Sequence, residues 1–177
     1  LVRGSLEAEL KQIIRDRDEI IVDRFDQLVE NATVLDIDEP MDKEEFFNLV
    51  ARNMAPGFEI DADRLAEVFK DRENTSSTVL SPHLAVPHVV IEGEGKFDLL
   101  IARARPGVYF SEDAPRVRTV FVLAGTRDER NFHLRALSAI AQIVFEAGFE
   151  DRWMEATDHQ GLRDIILLAG RRRDRDG

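Results

Sequence analysis

Leu84-Ala85-Val86-Pro87-His88-Val89-Val90-Ile91 reads as an apolar strand broken by a proline, with a histidine directly after the break. Proline has no N–H to give to a ladder, so it belongs at an edge, a bulge or a strand end. His88 therefore stands at a strand end facing a loop. A rigid sheet fixes the backbone of such a residue and leaves its side chain accessible. A neutral imidazole in that place is a nucleophile or base near neutral pH. Position alone also allows an incidental polar residue at a strand end.

Working upstream, residues 73–83 hold Asn74, Thr75, Ser76, Ser77, Thr78, Ser81 and Pro82 and read as a hydroxyl-rich loop. Before it, Asp61 opens a helix with Leu65, Val68 and Phe69 on its buried face, running to about Arg72. Asp42 followed by Glu45 is a capping-box start for another helix, which Pro56-Gly57 is expected to break. Thr33–Ile37 is a short β segment. Residues 6–31 read as one helix, from apolar residues at steps of three, four and seven. Downstream, Gly93 and Gly95 turn the chain into a strand over Phe97–Ala104, Pro106-Gly107 turns it again, and Val108–Phe110 is a short extension. Val117–Leu123 is apolar enough to be covered on both faces. A long helix over about Asp128–Ala147 ends at Gly148. Two shorter helices follow, one with Trp153 and one opened by Asp158 and closed by Gly170. Strands interleaved with helices predict an α/β domain, a three-layer αβα sandwich around a mixed central sheet.

The 177 residues suit one domain plus an appendage. Leu1-Val2-Arg3-Gly4-Ser5 looks like the scar of a protease-cleavable tag. The expected division is thus 1–5 as tag remnant, 6–31 as a linker or docking helix that also offers a homo-oligomer contact, 32–170 as the domain, and 171–177 as a disordered tail. Arg171, Arg172 and Arg173 make a basic run there, read as a solvated, frayed end. There is no cysteine, which removes disulfides and thiolate chemistry. The net charge of −11 speaks against nucleic acid as a partner. No apolar run approaches the roughly 20 residues that span a bilayer. The segment is expected not to insert into a membrane and to lie in the cytoplasm, alone or as the cytosolic part of a membrane protein.

Three other histidines need placing. His159 in Asp158-His159-Gln160 reads as surface. His83 and His88 lie five apart, which puts them on opposite faces of a strand, and spacing supplies no third ligand, so no metal site is expected. His133 falls in the first turns of the long helix, where negative charge, including phosphate, is favoured. A half-buried structural histidine is the competing reading.

Taken together, Arg72-Glu73, the Ser/Thr loop with Thr78, Leu84-Ala85-Val86-Pro87-His88 and Phe132-His133-Leu134 before an apolar run resemble the fructose/mannitol-type enzyme IIA domain of the bacterial phosphotransferase system, including its nitrogen-regulatory branch. Arg72 precedes His88 by 16 residues and His133 follows it by 45, as in that layout. The resemblance covers about residues 33–169. It implies a phosphoryl carrier with His88 as the phosphorylated position, His133 as its hydrogen-bond or charge partner and Arg72 as a charge stabiliser. Ser77 and Thr78 would orient the ring or the phosphate, and His83 would join the phosphate- or partner-binding group. No cofactor is implied. The implied partners are an HPr-like phosphocarrier and a downstream permease or transporter domain. The sequence departs from the pattern where glycines usually stand: Val79-Leu80-Ser81-Pro82-His83 lies before the strand, and Val89 follows His88. Those losses favour the alternative, a regulatory or sensing domain of a larger bacterial membrane transporter that has kept the fold.

Overall fold

The computed structural model describes residues 7–12 and 22–173. The expected tag remnant and most of the expected tail lie outside the described residues. Residues 7–12 are helical and exposed. Of the single helix expected over 6–31, residues 6 and 13–21 lie outside the described residues, and its C-terminal part is corrected. Asp23 starts a separate helix, α1 (Arg24–Asn31), by a reciprocal capping box with Asp26.

Strand β1 (Thr33–Ile37) leads through the two-residue β2 (Met41–Asp42) to α2 (Lys43–Phe58). The Asp42–Glu45 capping box forms as the sequence predicts. Pro56-Gly57 does not break this helix, which runs on to Phe58 and ends at Glu59 in a left-handed conformation. Helix α3 (Ala62–Thr75) follows, capped by Asp61. The expected loop over 73–83 is instead the last turn of α3 and a tight pairing of β3 (Val79–Ser81) with β4 (Leu84–Ala85). After Pro87 comes β5 (His88–Ile91). The two long strands are β6 (Phe97–Tyr109) and β7 (Val117–Thr126). A 3-10 turn (Arg127–Glu129) feeds α4 (Arg130–Val144), and α5 (Phe149–Glu155) and α6 (His159–Leu167) complete the order.

The sheet runs β1-β6-β7-β4-β3. β6 and β7 are antiparallel, while β1 and β2 lie parallel to β6, and β4 and β5 parallel to β7. It is thus a mixed sheet, as expected. β6 does not stop at Pro106-Gly107. Its register shifts between Arg103 and Val108, and Gly107 holds φ +92° with its α-carbon so close to Arg116 that a Cβ would meet that backbone at 2.6 Å. Only glycine fits a bulge of that kind.

Alternation along the central strands builds two cores. Leu100, Ala102, Val120, Val122 and Ala124 face α2 and α3 with Phe46, Phe47 and Phe69. Leu99, Ile101, Phe121 and Leu123 face α1, α4, α5 and α6 with Trp153. Two cores on opposite sides of one sheet make the three-layer αβα architecture.

The tail is also corrected in its first three residues. Arg171 is buried and donates to Asp23 at 2.7 Å and Asp26 at 2.9 Å, and Arg173 pairs with Asp26 at 2.8 Å. The capping box of α1 leaves two carboxylates buried, and buried carboxylates need cationic partners. The basic run supplies them.

Candidate functional site

Pro87 splits one apolar run into β4 and β5, and His88 is the first residue after the split. Both strands pair with β7, and Leu123 N–H donates to the Pro87 carbonyl at 2.9 Å. The imidazole is then oriented by its own backbone. His88 Nδ1 lies 2.7 Å from the Val86 carbonyl oxygen. A carbonyl only accepts, so Nδ1 carries the proton and donates. Nε2 keeps its lone pair. That atom faces the guanidinium of Arg72, whose Nη2 is 3.3 Å away. Arg72 sits in the last turn of α3, and its Nη1 is fixed to the Ser76 carbonyl at 2.9 Å.

His133 approaches from the other side, on the first turn of α4. Its ring stands edge-on to His88 with centroids 5.5 Å apart, and edge-on to Phe97 at 5.4 Å. Burial, with the nearby His88 ring adding to it, pushes the His133 imidazole down to about 4. It is neutral at neutral pH. Phe97 itself lies over Gly125, its partner on β7, where a Cβ would come within 2.4 Å of the ring. A glycine in a strand marks such a close approach. Gly125 makes room for Phe97, and Phe97 braces His133.

These groups open into one cavity of about 710 Å³. Arg72, His88 and His133 line it together with Thr126, Val90, Leu134 and Leu137. Two more arginines belong to its wall, Arg127 and Arg130, which the sequence reading did not single out. The site thus combines an available ring nitrogen, three guanidinium groups and an apolar rim on which Val90 and Leu134 are each 56% exposed. It suits an anion delivered by a partner surface. The Gly125–Phe97 pair was detectable as a strand glycine facing an aromatic, but only once the register was known.

The remaining expected residues are placed elsewhere. Thr78 is buried, and its hydroxyl donates to Glu73 at 2.6 Å and its N–H to the same carboxylate at 3.0 Å. Ser77 Oγ donates to Glu73 at 3.4 Å and accepts from Val79 N–H. The hydroxyls hold the β3 approach to Glu73 and do not line the His88 cavity. His83 is bonded at Nδ1 to the Arg116 carbonyl region and borders a separate depression with Phe145 and Phe149. Val89, the residue where a glycine often stands, turns its side chain into the core under α2 and α3.

The family model described as phosphoenolpyruvate-dependent sugar phosphotransferase system, EIIA 2, matches residues 26–168. The PTS system fructose-specific EIIABC component of Bacillus subtilis is 29% identical over 107 residues, covering 60% of this chain and 17% of that protein. This chain therefore spans only a small part of that relative's length. The mannitol-specific phosphotransferase enzyme IIA component of the same organism is 29% identical over 127 residues, covering 70% of this chain and 85% of its own. Among solved structures, nitrogen regulatory protein IIA-Ntr from Neisseria meningitidis has a TM-score of 0.68 at 23% identity, covering 76% of this chain and 92% of that one. Enzyme IIA mannitol of Escherichia coli, in complex with phosphorylated enzyme IIB, has a TM-score of 0.62 at 20% identity, covering 78% and 95%. These two structures bear on the fold alone.

Proposed function

The chain belongs to the EIIA type 2 family of the phosphotransferase system, and from that premise we propose that His88 Nε2 takes a phosphoryl group from an HPr-like phosphocarrier and passes it to a downstream permease or transporter domain. The observation that carries the reading is the bond from His88 Nδ1 to the Val86 carbonyl. It leaves Nε2 as the unprotonated nitrogen, accepting from Arg72 and open to a cavity.

In the transfer, the Nε2 lone pair forms the new N–P bond. The donor's N–P bond breaks, and its electron pair stays on the donor ring. The proton on His88 Nδ1 remains against Val86. The phosphorylated ring is then formally cationic, which makes it a good leaving group for the onward step. Arg72, through its remaining N–H groups, balances charge on the transferring oxygens, and a preorganised donor of this kind contributes where charge develops. His133 presents a neutral ring beside the site. The apolar rim excludes water, which protects a hydrolysable bond.

The test is incubation with phosphoenolpyruvate, the general phosphotransferase enzyme and an HPr-type protein. Acid-labile phosphate is expected on the wild type and none on His88→Ala, with the phosphorus resonance assigning the Nε2 isomer. A wild-type chain that takes no label from any phosphorylated HPr-type donor overturns the reading.

A further inference from the structure

A second cavity, of about 310 Å³, lies on a different face of α4 from His88. Its walls come from the start of α1, from α4 and from the stretch after α6. Four arginines line it, Arg24, Arg135, Arg171 and Arg172, against one carboxylate, Asp23. Asp23 is held by Arg171, at 2.7 and 2.9 Å. Arg24 pairs with Glu129 and lies over the Phe132 ring, 4.0 Å from its centroid. The side chains of Arg135 and Arg172 have no ion-pair or hydrogen-bond partner among the described residues. The chain carries 35 acidic residues against 24 basic ones, so two arginines facing one cavity without a carboxylate are not short of candidates. The buried Nε of Arg171, in the same wall, also lacks an acceptor among the described residues.

Neutral donors complete the lining. Ser138 Oγ accepts from Gln142 Nε2 at 3.4 Å, which leaves its own O–H to give. Gln142 Oε1 accepts from the Arg172 N–H at 2.8 Å and so pins the stretch after α6 to α4. With Asp23 already engaged by Arg171, four arginines against that one carboxylate leave surplus positive charge, which favours an oxyanion. At about 310 Å³ the cavity is less than half the about 710 Å³ of the one at His88, so a small ligand fits it.

The position of the cavity separates it from the chemistry at His88. The family match covers residues 26–168, so Asp23, Arg24, Phe25, Arg171 and Arg172 all lie outside it. The cavity is formed where the segments flanking the shared domain fold back on α4. We propose that it is a second binding site, for a small oxyanion of the phosphate or carboxylate class, with Arg135 and Arg172 as its contacting cations. The proposal does not depend on phosphorylation of His88.

The experiment is a titration of this chain at low ionic strength with inorganic phosphate and, separately, succinate, followed by amide ¹H–¹⁵N spectra. Saturable shifts are expected at Ser138, Gln142 and Arg172 with one or both probes, and the stronger probe assigns the class. Replacing Arg135 and Arg172 together by alanine weakens binding at those amides by about tenfold or more, since it removes both contacting charges. His88→Ala leaves it unchanged, which separates this site from anion binding at the Arg72–Arg127–Arg130 cavity. Ser138→Trp, at an exposed helical position, fills the space and abolishes the shifts in a protein whose spectrum remains dispersed. No saturable shift at these amides with either probe, or equal affinity in the double variant, overturns the proposal.

Discussion

Arg103 and Arg72 are two arginines put to opposite uses. Arg103, on β6, is fully buried, and its donors are all directed inward. Nε and Nη2 hold the Asp36 carboxylate at 2.9 and 2.6 Å, and Nη1 reaches the carbonyls of Trp153 and Ala156 at 2.9 and 2.6 Å. It ties β1, β6 and the end of α5 into one unit, and the same contact holds the Asp36 carboxyl below the usual carboxylate range. Arg72 is only half committed. One nitrogen holds the Ser76 carbonyl, another meets His88, and no carboxylate pairs with it among the described residues. A guanidinium saturated inside the protein fixes the fold, whereas one left unsaturated beside a nucleophile is available to an incoming anion.

The comparison predicts two different failures. Arg103→Met leaves a partly exposed Asp36, which Arg105 also reaches at 3.7 Å, and strips the Trp153 and Ala156 carbonyls of their side-chain donor, at a cost of about 2–4 kcal/mol. Urea denaturation should show that loss, while phosphoryl acceptance per folded molecule stays within about twofold. Arg72→Ala should do the reverse. Acceptance from a phosphorylated HPr-type donor falls by on the order of 10²–10³, the range for loss of one preorganised donor, while the urea midpoint moves little. Arg72→Lys should recover only part of the rate, because an ammonium lacks the planar fork. If Arg103→Met slows transfer as much as Arg72→Ala, the division between tie and site fails.

Sequence periodicity served the sheet and the site unequally. The apolar run of Val117–Leu123, the broken strand at Pro87 and the Asp42 and Asp61 caps were legible, because each is a local signal read from adjacent residues. So were Arg72, His88 and His133, because their types and order in the chain resemble a known pattern. Arg103 was not legible. An arginine inside a strand usually signals an exposed face, and only the β1–β6 register, which sets Asp36 opposite Arg103, reveals the pair. Arg171 was misread for the same reason. Its partners Asp23 and Asp26 lie almost a whole chain length away, so the run looked like a frayed end. Pro56 deceived differently: α2 continues through it to Phe58, whose side chain is buried in the core. Arg127 and Arg130 join the cavity only because α4 starts at the end of β7.

His133 sharpens the contrast through pH. Its ordinary value near 6.5 is lowered to about 4 in the folded protein. The unfolded chain therefore binds a proton that the folded one refuses, and stability falls as pH drops from about 6.5 toward 4. The loss attributable to this ring reaches roughly 2–3 kcal/mol at the acid end. His133→Gln should flatten that part of the stability curve, measured by urea denaturation at stepped pH. A phosphoryl group on His88 puts negative charge next to the ring, so the His133 titration should move upward in the phosphorylated protein when followed by imidazole carbon-bound proton shifts. A His133 that titrates near 6.5 in the unphosphorylated chain would show that the ring is hydrated and does not have the buried setting described above.

The smallest effects are expected where hydroxyls seemed most promising. Ser77 and Thr78 sit in the segment that resembles a phosphate-orienting loop, yet both hydroxyls bond Glu73. Thr78→Val takes the hydroxyl donor from Glu73 Oε2, while the Thr78 N–H and Ser77 stay on Oε1, and should cost about 1–3 kcal/mol. Ser77→Ala, at an exposed position with a longer bond, should cost no more than about 0.5 kcal/mol. Neither should change phosphoryl acceptance by more than about twofold, since a hydroxyl engaged with a buried carboxylate has no proton to offer an incoming phosphate. A tenfold loss of transfer in either variant, with stability preserved, would mean that the hydroxyl leaves Glu73 when the partner docks. Arg72 would then share its anion with the loop that follows it, and the line between structural and reactive polar groups would fall between Glu73 and Thr78.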